Sequence, residues 1–532
     1  MKHLFASVAL AALMTGALPV ITLAETPDDQ LVVATTMSNI LTLDPAAITG
    51  RETVQVLNNI YDTLLVLSPV DKSLQPRLAE SWSISEDRMK VTFKLRADAK
   101  FASGNPVTAQ DVAWSLKRLL TLNLAQSSFL KTRGYSAEAA DALFVAVDDH
   151  TFELNLPQPD DPALILMVLA QNGPGSILDS KTVLENEKDG DQGQAWQTLN
   201  SAGSGPYGLT KWASNEYIIL TRNEGYWGDA PAMERILLRH LPESQSQRLM
   251  LEQGDIDVAY SLLAPDLTAL ASNDKIRVES TPGAGFYYLS VSMKDERFAK
   301  KEVREALRLL IDYDGLDKAV MPYYGKKHQR GISTGVIGLL PDPGYTLDVA
   351  KAKELLAAAG YPDGFKTTLR VLSEEPFLKA GTAIQNTLAQ AGIEAELITG
   401  SGDQIYGAMR ERNFELLVGR GGGGQQPHPD SNLRALAYNP DNSDEAKLTN
   451  YQGWRTSYFD EALNKMIEGA LLERDLAKQK AAYEAIQVYM DTSVMSILPF
   501  SETVDTAAYQ ADVAGLVVNP WLTRFEDVTK TR

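Results

Sequence analysis

Three apolar runs of strand character, 367–372, 394–398 and 414–418, are separated by two helical patterns, 377–391 and 403–411. No other stretch constrains the fold as strongly. Strand–helix repeats of this length predict right-handed βαβ units and a parallel sheet. In open α/β sheets, ligands bind beyond the carboxyl ends of the strands. On this reading Gly419 is the first residue past the third strand. It opens residues 419–433, GRGGGGQQPHPDSNL, with Gly421-Gly422-Gly423-Gly424, then Gln425 and Gln426, and His428 between two prolines. Glycine lacks a Cβ and lets a backbone come close to a ligand. The stretch reads either as a ligand-facing loop or as a solvated connection, and the strand order favours the first.

The rest of the chain has a different rhythm. Residues 31–34 read as a buried strand and 54–67 as a helix. Val91, Phe93 and Leu95 alternate on one strand face, and Thr108 with Asp111 makes a capping-box-like helix start. Further strands are expected at 151–156, 217–222, 236–241, 276–280 and 287–291, and a helix at 244–253 ends at Gly254. Helices at 301–311, 316–321, 349–359, 458–472 and 475–490 and a strand at 495–500 complete the second half. No repeat and no low-complexity linker divides the chain, so its domains are expected to be interleaved.

Met1-Lys2-His3 is basic, residues 4–23 are mostly apolar, and Thr22-Leu23-Ala24 fits a small-x-small cut. Together they predict a secretory signal peptide over 1–24; Pro19 and the short uninterrupted core disfavour a membrane anchor. The chain has no cysteine, which excludes a lipid anchor through that residue and any disulfide. The protein is expected in the periplasm, not as a lipoprotein. With 532 residues it can bury large cores without such cross-links. A net charge of −19 makes nucleic acid a poor partner.

The glycine run lacks the Gly-Lys-Ser/Thr continuation of a phosphate loop. The five histidines, His3, His150, His240, His328 and His428, show no metal-site spacing, although His428 with Asp430 could supply two ligands to a bound chelate. There is no G-x-S-x-G elbow for a hydrolase. Among the aromatics near turns, Trp454, between Gly453 and Arg455, is the one most suited to face a ligand.

Four blocks carry a family pattern. Ala79-Glu80-Ser81-Trp82 precedes 91–98, Phe101, Gly104, Pro106-Val107-Thr108-Ala109, Asp111-Val112 and Ser115. Gly203-Ser204-Gly205-Pro206-Tyr207 precedes Asn223 and Tyr226-Trp227-Gly228. Leu251, Gly254, Asp255, Asp257 and Ala259 form the third, and Val303-Arg304, Ala306-Leu307, Ile311-Asp312 and Gly325 the fourth. In these blocks the chain resembles the family 5 extracellular solute-binding proteins, the peptide/nickel-type binding components of ATP-driven (ABC) importers. The resemblance implies an α/β, periplasmic binding protein-like fold (type II, cluster C-like) with two lobes and a hinge. Residues 25–62, 206–284 and 503–532 would form the first lobe core, 63–205 an extra domain of that lobe, and 290–500 the second lobe. The hinge would lie near 285–290 and 500–503. Function would be capture of a small organic solute by hinge closure and delivery to a permease and ATPase complex in the inner membrane. The protein would act as a monomer, with no catalysis and no cofactor.

The resemblance also implies where the ligand sits. Peptide-binding members often carry an aspartate in the loop after the third strand, paired with the peptide amine; this chain reads Gly423-Gly424-Gln425-Gln426. Some members place an arginine before a proline, after the first strand, to meet the peptide carboxylate; here Glu374-Glu375 precede Pro376. A buried, unpaired peptide terminus is costly, so among peptide-like, opine-like and sugar-conjugate solutes the amides and glycines suit a neutral or hydroxylated one. Glu374 and Glu375 would suit a cationic group. The candidate ligand-binding residues are Met37, Asn39, Tyr287, Glu374, Glu375, Arg420, Gly424, Gln425, Gln426, His428, Trp454 and Arg455. The alternatives are a nickel-type metal-chelate binder using His428 and, from another class, a secreted hydrolase.

Overall fold

The computed structural model describes residues 26–423, 426–519 and 523–531. The expected signal peptide, Gly424 and Gln425 lie outside the described residues. An eleven-stranded sheet forms the spine. In chain order its strands are β1 (Gln30–Thr35), β2 (Tyr207–Ala213), β3 (Tyr217–Arg222), β4 (Arg235–His240), β5 (Val258–Ala259), β6 (Ile276–Val291), β7 (Gly325–Lys327), β8 (Phe365–Leu372), β9 (Ile393–Gly400), β10 (Leu416–Gly421) and β11 (Ile497–Gln510). Ten follow the order β9-β8-β10-β6-β11-β5-β1-β4-β3-β2, and β7 pairs with β11.

β6 and β11 are long, 16 and 14 residues, because each serves both halves of the sheet. Their antiparallel ladder runs from Ile276–Gln510 to Ser290–Ile497, with a break between Pro282 and Phe286. The break falls on Gly283-Ala284-Gly285, where the Gly285 N–H donates to Thr503 Oγ1 at 3.1 Å. The expected strands 276–280 and 287–291 are therefore one strand with a bulge. Pro282 and Gly283 look like a stop, but the partner strand resumes pairing beyond them.

Past the bulge, β8 pairs in parallel with both β9 and β10, as the strand–helix alternation requires. Leu369, Val371, Leu416, Leu417 and Val418 are fully buried, in a core that runs from Phe286 to Phe500. Continuous apolar runs of this kind suit strands covered on both faces. β10 then lies antiparallel to β6. Before the bulge, β1 sits between β4 and β5, parallel to both.

A separate antiparallel sheet, Ala79–Ile84, Lys90–Leu95, Thr151–Asn155 and Phe144–Asp148, packs with helix Ala109–Leu122 over a core of residues between Ala46 and Ile177. Val91, Phe93 and Leu95 point inward there, and both bonds of the Thr108–Asp111 capping box form. Arg118 of this helix makes a two-pronged bond to Asp44, 2.8 and 2.7 Å, with both side chains buried.

Two local expectations change. The helix expected over 54–67 is Arg51–Ile60, followed by a short strand, Leu65–Leu67. Tyr61 turns extended (φ −123°, ψ 149°), and the leucines beyond it join a hairpin with Leu74–Pro76. The third strand does not end at 418. It pairs onward, Tyr288 with Gly419, Tyr287 with Arg420 and Phe286 with Gly421, so Gly419 and Arg420 are strand residues. Among the described residues no helix is long and apolar enough to cross a membrane.

Candidate functional site

A cleft of about 630 Å³ opens where the bulge of β6 meets the end of β10. Arg51 and Val54 line it from the start of helix Arg51–Ile60, and Gln126, Phe129 and Asn172 from the part carrying the four-stranded sheet. Tyr287, Thr503 and Asp505 come from the two long strands, and Arg420, Gly421 and Gly423 from β10 and its loop. Pockets for small organic molecules run from roughly 300 to 1,000 Å³, so the space suits such a solute.

Tyr287 and Arg420 are direct cross-strand partners, so their side chains share a face of the sheet. The Arg420 N–H donates to the Tyr406 hydroxyl at 2.9 Å, and that hydroxyl donates to the Arg420 carbonyl at 3.3 Å. This clamps the backbone while the side chain stays exposed. Burial raises the pKa of the Tyr287 hydroxyl, and the nearby Arg420 guanidinium, which donates to it, pulls the other way. Across the cleft, Arg51 is ion-paired with Asp505, and burial lowers its pKa.

The glycines after β10 have a packing role that the sequence did not reveal. Gly422 has φ +74°, and a Cβ on Gly423 would lie 0.9 Å from the Ala284 carbonyl oxygen. The loop thus rests its bare backbone on the bulge of β6. Asn432 holds it there, its side-chain amide donating to the carbonyls of Gly422 at 3.1 Å and Gly423 at 2.7 Å. Gln426 is buried and accepts from the Ser431 hydroxyl at 3.2 Å.

His428 is not part of the cleft lining. It caps helix Pro429–Leu436, its Nδ1 accepting from the Asp430 N–H at 3.2 Å. Its Nε2 lies 3.6 Å from the Asp161 carboxylate. Asp161 is a hub: it caps its own helix through the Ala163 N–H and accepts from Arg88 and Gln479, both at 2.7 Å. The loop is thereby tied to the part of the chain that carries the four-stranded sheet. His428 and Asp430, the two residues expected as chelate ligands, are both engaged by protein groups. The Asp430 carboxylate is bonded by Arg434 at 2.7 Å, and among the described residues no three His, Cys, Asp or Glu side chains converge.

Burial opposes the charged form of Asp161, but His428, Gln479 and the Ala163 N–H outweigh it and hold the pKa at about 2 against an ordinary 3.8. A folded-state value below the unfolded one adds stability that is complete above the unfolded pKa and lost as pH falls toward the folded one. Asp161→Asn is therefore expected to lower Tm at neutral pH and to converge with the parent near pH 2, as thermal denaturation across that range would register.

The remaining candidates are scattered. Trp454 is buried, its indole N–H donating to the Ser443 carbonyl at 2.8 Å with Arg412 stacked 4.7 Å from its ring centre. Its polar sequence neighbours suggested a ligand contact, but the indole is packed among residues distant in sequence, Arg412 and Ser443. Arg455 is half-buried and donates to the Thr449 carbonyl. Met37 sits in a core cluster, its N–H donating to His240 at 2.9 Å, and exposed Asn39 lies beside Gly50 at the rim. Glu374 and Glu375 are exposed beyond β8 and outside the cleft lining, with Glu375 3.4 Å from Lys379. Of the candidates among the described residues, only Tyr287 and Arg420 line the cleft. Arg51, Asn172, Thr503 and Asp505 were not among them, because their convergence depends on strand pairings between distant segments.

Residues 73–444 match the model of the bacterial extracellular solute-binding proteins, family 5 (Middle). The chain is 28% identical over 514 residues to the probable D,D-dipeptide-binding periplasmic protein DdpA of Escherichia coli (strain K12), covering 94% of this chain and 93% of that protein. Its fold matches HbpA2 from Haemophilus parasuis with a TM-score of 0.81 at 22% identity, over 94% of this chain and 100% of the other. It also matches MoaA in complex with mannopinic acid, from A. tumefacien R10, with a TM-score of 0.70 at 23% identity, over 95% and 100%. The two-lobe binding-protein architecture accounts for a cleft bounded by both halves of one sheet, and the chain belongs to the family 5 bacterial extracellular solute-binding proteins.

Proposed function

We propose that this protein is the periplasmic solute-binding component of an ABC importer, holding an organic solute between two lobes and passing it unchanged to a permease. The observation that carries this reading is the cleft of about 630 Å³, lined from both sides of the β6–β11 crossing. In this reading residues 63–205 form the extra domain, supported by the separate core between Ala46 and Ile177. The lobes, 25–62 with 206–284 and 503–532 against 290–500, turn about hinges near 285–290 and 500–503, beside the bulge at Gly283-Ala284-Gly285 where the ladder is already broken. Solute classes of two kinds fit the fold: one similar protein is named for a D,D-dipeptide, another was solved with mannopinic acid.

A panel of dipeptides, opines and sugar acids, followed by thermal shift and calorimetry, tests the reading. A ligand at a hundred times its Kd stabilises by about 2.7 kcal/mol, and the bound molecule should be recovered intact by mass spectrometry. A panel in which nothing binds, or a ligand recovered chemically altered, would overturn it.

A further inference from the structure

The cleft differs in sign from the rest of the molecule. The chain carries −19 overall. The charged side chains lining the cleft are Arg51, Arg420 and Asp505. Arg51 and Asp505 neutralise each other in their ion pair. That leaves Arg420, which makes no ion pair among the described residues and whose guanidinium donates to the Tyr287 hydroxyl. The other polar groups of the lining, such as Gln126, Asn172, Tyr324 and Thr503, are uncharged. Of the acids nearby, Glu375 faces Lys379 at 3.4 Å. Glu374 is exposed and, like Glu375, outside the lining. A low-dielectric cleft concentrates the field of a single uncompensated charge.

Resting on the importer reading, we propose that the cleft selects a solute with one carboxylate seated on Arg420, and that it holds no site for an ammonium group. The one carboxylate in the lining is already bonded to Arg51, so an amine entering the cleft would have to break that pair. The solute class is a carboxylic acid without a recognised amine, such as an N-acylated dipeptide or a sugar acid. This reverses the expectation that Glu374 and Glu375 favour a cationic ligand. The planar guanidinium, with its backbone clamped by Tyr406, can meet a carboxylate with two parallel N–H donors.

Calorimetry on the mature protein with matched probes tests this: N-acetyl-alanyl-alanine against its C-terminal amide, gluconate against glucose, and unmodified alanyl-alanine against alanyl-alaninamide. Among the probes that bind, the acid should bind at least tenfold tighter than its neutral or amidated partner, and blocking the amine should cost nothing. A hydrogen bond to a charged group is worth about 1.5–3 kcal/mol, which sets that tenfold floor. Arg420→Gln should erase the preference without lowering Tm, and Arg420→Lys should keep part of it. Equal binding of acid and amide, tighter binding of the free amine than of the acylated form, or unchanged acid affinity in Arg420→Gln would overturn the inference and leave the importer reading standing. Binding of none of the probes would count against the importer reading itself, and this inference would fall with it.

Discussion

Gly423→Ala is expected to lower Tm by several degrees and to weaken solute binding at least tenfold. A Cβ built there meets the Ala284 carbonyl oxygen at 0.9 Å and its carbon at 2.1 Å, where real Cβ contacts stay beyond 3.0 Å. The atoms in the way are backbone, so no side-chain rotation relieves the overlap. Either the loop lifts or the bulge of β6 moves. The loop is held by Asn432, which donates to the Gly423 carbonyl at 2.7 Å. The bulge is held by the Gly285 N–H on Thr503. Forcing one of these apart costs about 3 kcal/mol by analogy with overpacked cores, and it displaces the loop and bulge that bound the cleft. Gly407→Ala is the control. Gly407 lies in helix Gly402–Arg410, away from the cleft lining, and a Cβ there would meet nothing within 4 Å. Thermal denaturation and calorimetry on the two variants decide the matter. Equal Tm values for the two would show that the loop does not rest on the bulge.

The same contrast shows what the sequence could convey. Periods of 2 and 3.6 are local, so β8, β9, the helices Phe377–Gln390 and Gly402–Arg410, and the inward face of Lys90–Leu95 were all visible as patterns. Gly254, behind its helix Ser244–Gln253, was visible too, at positive φ. The β6–β11 ladder was not, because Ile276 meets Gln510 only through the folded chain. For the same reason the glycines of the loop looked like space for a ligand. The carbonyl they make room for belongs to Ala284, far away in sequence. Of the candidate site residues, Tyr287 and Arg420 reach the cleft because they sit on the two strands that frame it. Trp454 and His428 stood out by residue type, and residue type does not say which way a side chain turns.

The second large effect is expected at Arg118. Arg118→Ala removes the guanidinium from a pair whose side chains are 2% and 0% exposed, and it leaves Asp44 buried without its partner. Breaking one side of such a pair costs roughly 3–5 kcal/mol, whereas replacing both charges with apolar groups of similar volume is often neutral. The asymmetry arises because the attraction between two buried charges mostly offsets their own desolvation, and a lone charge keeps the whole penalty. The pair joins helix Ala109–Leu122 to the segment that leads from β1 into helix Arg51–Ile60. Its loss should therefore loosen the part carrying the four-stranded sheet, which supplies Gln126 and Asn172 to the cleft. Solute affinity should fall together with stability in the single variant. The Asp44→Leu, Arg118→Met double variant should recover most of both, as denaturant titration beside calorimetry would register. A double variant no more stable than Arg118→Ala would mean that the pair holds these segments by its charges, and that burial of well-packed side chains cannot take their place.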